Sequence, residues 1–279
     1  MGCRRLIVQS DEGVCNRMRV LLSGWALAEA TNRSFEMIWK PGILCGCKFN
    51  DLFVNNLNIY DNPDEIALAP INFDIYKGKV YSKFDICKVR KQKLFVQTDC
   101  WLTLPKQYKG HRLIHSRAIR LFEDLQPSTY IRDKVEEFAA KNFINSMIGV
   151  HIRRGDFKEL RYFFQRRRNF VFILRQMDRL LKERVGCKFF VATDDGAPNP
   201  WTGKVRYEGI KEKLGKRYGD KVVFFNPRSF DRSHIEAVQD SLIELLLMRK
   251  TNIIIGTYWS SFTDFAALGR NIPKITRKS

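Results

Sequence analysis

A short apolar strand ends in a dense group of charged residues in the stretch GVHIRRGDF (149–157). His151, Arg153, Arg154 and Asp156 fall within six residues. In parallel α/β proteins, ligands bind just beyond the carboxyl ends of the strands, so these side chains are candidates for a binding site. A planar guanidinium can bond two oxygens of a diphosphate, and strand alternation places Arg153 on the same side as His151. The alternative interpretation is an edge strand whose basic residues are simply solvated.

Two more polar clusters follow apolar runs later in the chain, TDD at 193–195 and YWSSF at 258–262. Because the carboxyl ends of parallel strands share one edge of a sheet, we expect both clusters and the arginine motif to face one cleft. The two adjacent aspartates of TDD lack further ligands for a metal, so we expect no metal site.

The serine-rich cluster has the spacing of a helix start, because Ser261 is placed as an N-cap with Asp264 three residues later. Free backbone N–H groups and two hydroxyls at such a start would suit a phosphate. An ordinary capped helix without a ligand is the alternative.

Near the N-terminus, DEGVCNRM is predicted to be a turn between a strand and a helix. Its Gly13 stands without the other two glycines of a dinucleotide-binding fingerprint.

Short apolar runs alternate with amphipathic stretches along most of the chain, which predicts an α/β protein with parallel sheets. Strands are predicted at 5–9, 35–39, 94–97, 147–152, 188–193, 222–225 and 252–256. Helices are predicted from the first turn to residue 31 and at 128–141, 169–184 and 235–249. The stretch after residue 99 is polar and basic, and residues 55–92 show little clear periodicity. Two α/β domains, 1–125 and 126–279, are the simplest organisation.

The composition predicts a folded protein with an anionic partner. Apolar residues make up 44% of the chain and the net charge is +19, an excess that favours phosphorylated ligands, acidic glycans or nucleic acid. The seven cysteines lack the spacing of a disulfide framework, which favours reduced thiols and a cytoplasmic location. No run approaches the roughly 18 apolar residues of a membrane span, so none is expected.

A nucleic-acid-binding protein is the rival from another class of function. The segment RYFFQRRRNF (161–170) interleaves basic and aromatic side chains, as single-strand binders do. No recognisable nucleic-acid motif accompanies it, so nucleic acid is not the expected partner.

The ordered motifs together resemble the fucosyltransferase superfamily that includes the α1,2-, α1,6- and protein O-fucosyltransferases. The likeness rests on GVHIRRGDF, FFVATDD, IIIGTYWSSFTDFAALG and the N-terminal GVCNRMRVLLSGWALAEATNRSFEMIW. It extends over nearly the whole chain, except for residues 55–125. It implies a GT-B fold, in which two Rossmann-like domains surround a cleft. The domain 126–279 would hold the nucleotide sugar, and the domain 1–125 would face the acceptor.

The resemblance also implies an activity. Its members are inverting glycosyltransferases that move L-fucose from GDP-fucose onto a hydroxyl, here that of a glycan, without a metal ion or another cofactor. Another nucleotide sugar, such as a xylose donor, is the alternative within the same fold. The basic charge extends the expected acceptors to anionic glycans.

Site residues carry over by position. Arg153 would hold the diphosphate and His151 would lie beside the nucleotide. Asp194 would reach the nucleoside, and Ser260, Ser261 and Phe262 would line the phosphate and base pocket. The residues that would face the sugar-phosphate from the first domain are Asn16 and Arg17.

Inversion in one displacement calls for a base that deprotonates the acceptor hydroxyl. Asp156 and Glu159 are the carboxylates nearest the arginine motif and are the candidates for this base. Each could instead be a salt-bridge partner in so basic a region. A loose, cation-like transition state would need less from a base and more from Arg153.

Overall fold

The structure is a computed structural model that describes residues 4–62, 64, 93–104, 106–108, 110–153, 161–199, 201–205, 209–258 and 260–277. The chain divides into two compact units, Met1–Ser128 and Thr129–Ser279. The division lies close to the boundary expected after residue 125.

The first unit is built on a four-stranded parallel sheet. Its elements are β1 (Arg5–Gln9), α1 (Val14–Ala30), β2 (Ser34–Ile38), β3 (Ile59–Tyr60), β4 (Lys93–Gln97) and α2 (His111–Asp124). The strand order is β3-β2-β1-β4, so β1 lies between two parallel neighbours. Leu6, Ile7 and Val8 are fully buried, as expected for a parallel strand covered on both faces.

The second unit is built on a five-stranded parallel sheet. Its elements are α3 (Thr129–Asn142), β5 (Met147–Ile152), α4 (Arg161–Glu183), β6 (Lys188–Thr193), α5 (Ile210–Tyr218), β7 (Val222–Phe224), α6 (Ile235–Arg249), β8 (Ile253–Gly256), α7 (Ser261–Ala267) and β9 (Lys274–Thr276). The strand order is β7-β6-β5-β8-β9, which makes β5 the central strand. Helices α4 and α5 pack their apolar faces together against this sheet, through Ile173 and Met177 of α4 and Leu214 of α5. The expected class, α/β with parallel sheets, is confirmed.

The predicted bounds of β1, β5, β6 and α6 agree with the structure. Helix α4 begins at Arg161 rather than at 169, so the basic segment is its first turns. The sequence prediction lacked α2 and the short strands β3 and β9. In α2 the buried residues Ile114, Ala118 and Leu121 have helical spacing, but the many charged residues between them concealed the pattern.

Within the described part of the chain, none of the helices combines the length and apolar character that a bilayer crossing requires.

Helix α1 packs tightly on the first sheet at Gly24. A Cβ built there would lie 2.9 Å from Cγ1 of Val8 and 3.2 Å from Cε2 of Phe35. Val8 is β-branched and fully buried, so it has little freedom to move away. By contrast, a Cβ at Gly215 of α5 would meet nothing within 4 Å.

We therefore expect opposite effects from two glycine-to-alanine changes in helices. Gly24→Ala should destabilise the protein by about 1–3 kcal/mol, because overpacking outweighs the better helix propensity of alanine. Gly215→Ala should stabilise it by about 0.5–1 kcal/mol. Urea denaturation followed by circular dichroism measures both changes. A Gly24→Ala variant as stable as Gly215→Ala would contradict the tight packing of α1.

Candidate functional site

The carboxyl edge of the second sheet joins the ends of β5 and β8. Arg153 follows β5 directly and is partly exposed. The Thr257 hydroxyl accepts the N–H of Arg153 (3.0 Å) and donates to the carbonyl of His151 (3.1 Å). The N–H of Thr257 donates to the same carbonyl (3.2 Å). These bonds fix the backbone from which the Arg153 side chain extends.

His151 is held by two residues of α7. Its ring stacks on that of Phe262, with centroids 4.6 Å apart and planes at 26°. Its Nδ1 lies 2.8 Å from Oγ1 of Thr263, within hydrogen-bonding distance. The imidazole is buried, and this contact fixes the orientation of its ring.

Helix α7 can approach β8 this closely because residue 256 is glycine. A Cβ at Gly256 would lie 2.2 Å from Cγ2 of Thr263, nearer than any two such atoms can come. The glycine therefore permits the contact that brings Thr263 and Phe262 against His151.

The start of α7 differs from the sequence prediction. Ser260 is the N-cap and Ser261 is the first helical residue. The predicted cap by Ser261 and Asp264 is wrong, because Asp264 instead pairs with Lys274 (3.0 Å). Ser260 is 1% exposed, and its Oγ is buried without a hydrogen-bond partner. A buried hydroxyl in that state calls for an explanation, such as a ligand or a water.

The two aspartates after β6 have different surroundings. Asp195 is buried, and its Oδ2 accepts the N–H groups of Ile210 (2.7 Å) and Lys211 (3.2 Å). Asp195 therefore caps α5 although it lies fifteen residues before the helix in the sequence. A negative charge at this position also interacts favourably with the helix dipole. Asp194 is only partly buried, at the tip of β6.

The sequence reasoning missed a buried carboxyl, Glu244 of α6. Burial raises its pKa to about 8, the nearby charges of Asp240 and Asp194 act in the same direction, and Lys211 opposes them. Glu244 is therefore mostly protonated at neutral pH. The signal in the sequence was a pair of acids at i and i+4, Asp240 and Glu244, in an otherwise apolar helix.

Asp240, one turn earlier on α6, is buried and paired with Arg228. Its Oδ2 accepts the backbone N–H of Arg228 (2.5 Å), and its Oδ1 accepts a guanidinium N–H of the same residue (2.8 Å). The guanidinium of Arg228 also lies over the ring of Tyr130, 4.9 Å from its centroid. Asp240 thus has its own counter-charge, which Glu244 lacks.

In the first unit, Asn16 and Arg17 lie in the first turn of α1. Asn16 is partly buried and its N–H donates to the carbonyl of Gly13 (2.9 Å). Arg17 is 1% exposed, with Nε donating to the carbonyl of Glu12 (2.8 Å) and the guanidinium 5.4 Å from the Trp39 ring centroid. One of its terminal nitrogens is buried without a partner.

A pair of buried thiols lies near Arg17. The sulfurs of Cys45 and Cys47 are 3.9 Å apart. Hydrogen bonding with Cys47, helped by the charge of Arg17, holds the pKa of Cys45 below its usual value, and the same thiol contact together with burial raises the pKa of Cys47.

The structure thus links Arg153, His151, Phe262 and Ser260 through Thr257 and α7. Asp156 and Glu159, the candidate bases, lie outside the described residues, as does Arg154. Thr257 and Thr263, which position the site, were not singled out by the sequence. Among the described residues there is no group of three or more His, Cys, Asp or Glu side chains that could hold a metal ion.

No protein-family model matches the chain, and no curated protein does. Solved structures of fucosyltransferases match it. NodZ from Bradyrhizobium has a TM-score of 0.62 at 16% identity, covering 96% of this chain and 93% of NodZ. FUT1 of Arabidopsis thaliana, in complex with GDP, has a TM-score of 0.61 at 14% identity, covering 98% of this chain and 70% of FUT1. POFUT1 in complex with GDP has a TM-score of 0.59 at 14% identity, covering 99% of this chain and 98% of POFUT1.

These likenesses extend over almost the whole chain at low identity, so they establish the fold. The expected GT-B fold of the fucosyltransferases is confirmed.

The raised pKa of Glu244 predicts how stability depends on pH. Between pH 4.5 and about 8 the unfolded chain loses the Glu244 proton while the folded protein keeps it, so stability falls as the pH rises. Glu244→Gln keeps the shape and cannot ionise. We expect it to be more stable than the parent by about 2–4 kcal/mol at pH 8, with most of the difference gone at pH 5.

Urea denaturation at pH 5 and pH 8 measures this effect. The control is Glu212→Gln, since Glu212 is exposed and pairs with Lys216 on the surface. Parallel pH profiles for the parent and Glu244→Gln would contradict the buried, protonated state of Glu244.

Proposed function

We propose that this protein is a glycosyltransferase that moves L-fucose from GDP-fucose onto a glycan hydroxyl. The observation that carries the proposal is Arg153, placed just beyond the buried central strand of a fold shared with fucosyltransferases along nearly the whole chain. NodZ crystals were soaked with GDP-fucose and also grown with GDP, which supports a GDP-sugar as the donor class here.

The second unit would hold the nucleotide. Arg153 would pair with the diphosphate, since its backbone is fixed by Thr257 and a guanidinium matches two phosphate oxygens. His151 would lie beside the nucleotide, with its ring held in place by Thr263 and Phe262. Asp194 would reach the nucleoside. The buried, unpartnered Oγ of Ser260 supports a role for the Ser260–Phe262 segment in the same pocket.

The first unit would face the acceptor, with Asn16 and Arg17 near the sugar-phosphate. In the reaction, the acceptor oxygen bonds to the anomeric carbon while the bond from that carbon to the diphosphate breaks, which inverts the configuration. The acceptor proton passes to a base, for which Asp156 and Glu159 are the candidates. Negative charge grows on the departing GDP, so contacts from Arg153 are strongest in the transition state.

The donor and the role of metal are tested by calorimetry. GDP and UDP are titrated into the protein with and without EDTA, at low and moderate salt. We expect saturable GDP binding that is tighter than UDP binding and unchanged by EDTA, because the proposed phosphate ligands are a guanidinium and hydroxyls. Loss of affinity in EDTA would contradict a metal-independent mechanism. Absence of GDP binding with steeply salt-dependent binding of single-stranded RNA would favour the nucleic-acid alternative.

Replacing Arg153 tests the site itself. Arg153→Lys keeps the charge but loses the planar fork, so we expect donor turnover to fall by about 10²–10³-fold. The measurement is the rate of GDP release from GDP-fucose, with circular dichroism and melting temperature as folding controls. Arg175→Lys, on the exposed face of α4, is the matched control and should keep the parental rate. A folded Arg153→Lys protein with near-parental turnover would remove Arg153 from the mechanism.

A further inference from the structure

A carboxylate is held in one orientation at the carboxyl edge of the first sheet. Gln9 and Gln97 are the last residues of β1 and β4 and lie opposite each other in the parallel register. The Gln9 amide donates to Oδ1 of Asp11 (2.8 Å), and the Gln97 amide donates to Oδ2 (2.5 Å). Asp11 is exposed, so the carboxylate is both oriented and open to solvent.

The two amide bonds leave half of the carboxylate's capacity unused. An ionised carboxylate offers about four lone-pair sites, and Gln9 and Gln97 occupy one on each oxygen. One site on each oxygen is thus available to a pair of neighbouring donors. Two hydroxyls on adjacent carbons of a sugar ring form such a pair, and a group oriented beforehand binds them without losing side-chain freedom.

Charge narrows the class of ligand. An anionic group placed against Asp11 would meet repulsion from its carboxylate. A cationic ligand is disfavoured at long range by a chain of net charge +19. Neutral hydroxyls satisfy the carboxylate oxygens and meet neither penalty.

We propose that Asp11, oriented by Gln9 and Gln97, binds two adjacent hydroxyls of a neutral glycan, and that this glycan is the acceptor. The second part rests on the proposed function. The acceptor class is thereby narrowed from glycans in general, including anionic ones, to those that present an unsubstituted vicinal diol. The same bonds could instead serve only to tie the ends of β1 and β4 together, and the experiment separates the two roles.

The test uses the full chain, fluorescently labelled, on a glycan array that carries neutral, sialylated and sulfated glycans. The variants are Asp11→Asn, Gln97→Met and the control Asp124→Asn, an exposed aspartate at the end of α2. In Asp11→Asn, an NH2 group replaces one acceptor oxygen. This group would present an N–H donor to the N–H of one glutamine or to the O–H of one sugar hydroxyl. We expect its apparent affinity for neutral vicinal-diol glycans to fall at least about 10-fold.

Gln97→Met keeps the carboxylate and removes one orienting donor, so its loss should be smaller. Asp124→Asn should match the parent. GDP calorimetry and melting temperature are measured on every variant, and GDP affinity should be unchanged.

Three results would overturn the proposal: signals confined to sialylated or sulfated glycans, no glycan signal at all, or an Asp11→Asn change that lowers the melting temperature and leaves glycan binding intact. A parent that binds neutral glycans through Asp11 but does not bind GDP would contradict the proposed transferase and leave the glycan site standing. The two failures are therefore distinguishable.

Discussion

The Thr257 hydroxyl is the contact on which the arrangement of the second unit's candidate site depends. One oxygen accepts the N–H of Arg153 and donates to the carbonyl of His151, so it joins the ends of two neighbouring strands. Both strands are buried along their length, and the chain beyond them has little freedom to shift. Without the hydroxyl, the N–H of Arg153 would lose this acceptor, while the carbonyl of His151 would keep the N–H of Thr257.

Three buried carboxyl groups of the second unit are stabilised in three different ways. Oδ2 of Asp195 accepts the backbone N–H groups at the start of α5, and Asp240 is paired with Arg228. Glu244 has no such partner and takes up a proton instead. Each outcome avoids an unpaired buried charge, which is the costliest state for such a group.

The two sheets carry different functional groups at corresponding positions. In each, the central region of a parallel sheet ends in polar residues at its carboxyl edge. The first unit has a carboxylate held by two amides beyond β1, and the second has a guanidinium beyond β5. A carboxylate accepts hydrogen bonds from hydroxyls, while a guanidinium donates them to phosphates.

The sequence by itself determined seven of the nine described strands and their parallel class. The runs at 5–9, 147–152 and 188–193 each contain at least three consecutive apolar residues and are followed by polar ones, which is a local signal. It also singled out His151 and Arg153, because polar residues at a strand end are visible without any contact, whereas Phe262 came only from the resemblance to the fucosyltransferases. Helix α2 was missed because basic residues stand between its buried apolar residues. In the folded helix these basic residues lie on the other face, which the sequence pattern alone did not reveal.

Tertiary structure decided which role each of several similar polar residues has. Asp194 and Asp195 are neighbours in sequence, yet only Asp195 meets the N-terminus of α5, fifteen residues away. Thr257 and Thr263 are ordinary threonines until β5 lies beside β8 and Gly256 lets α7 approach. The capping residue of α7 and the protonation of Glu244 likewise depend on neighbours distant in sequence. Spacing along the chain cannot reveal these roles, because hydrogen bonding and desolvation are set by distances that exist only after folding.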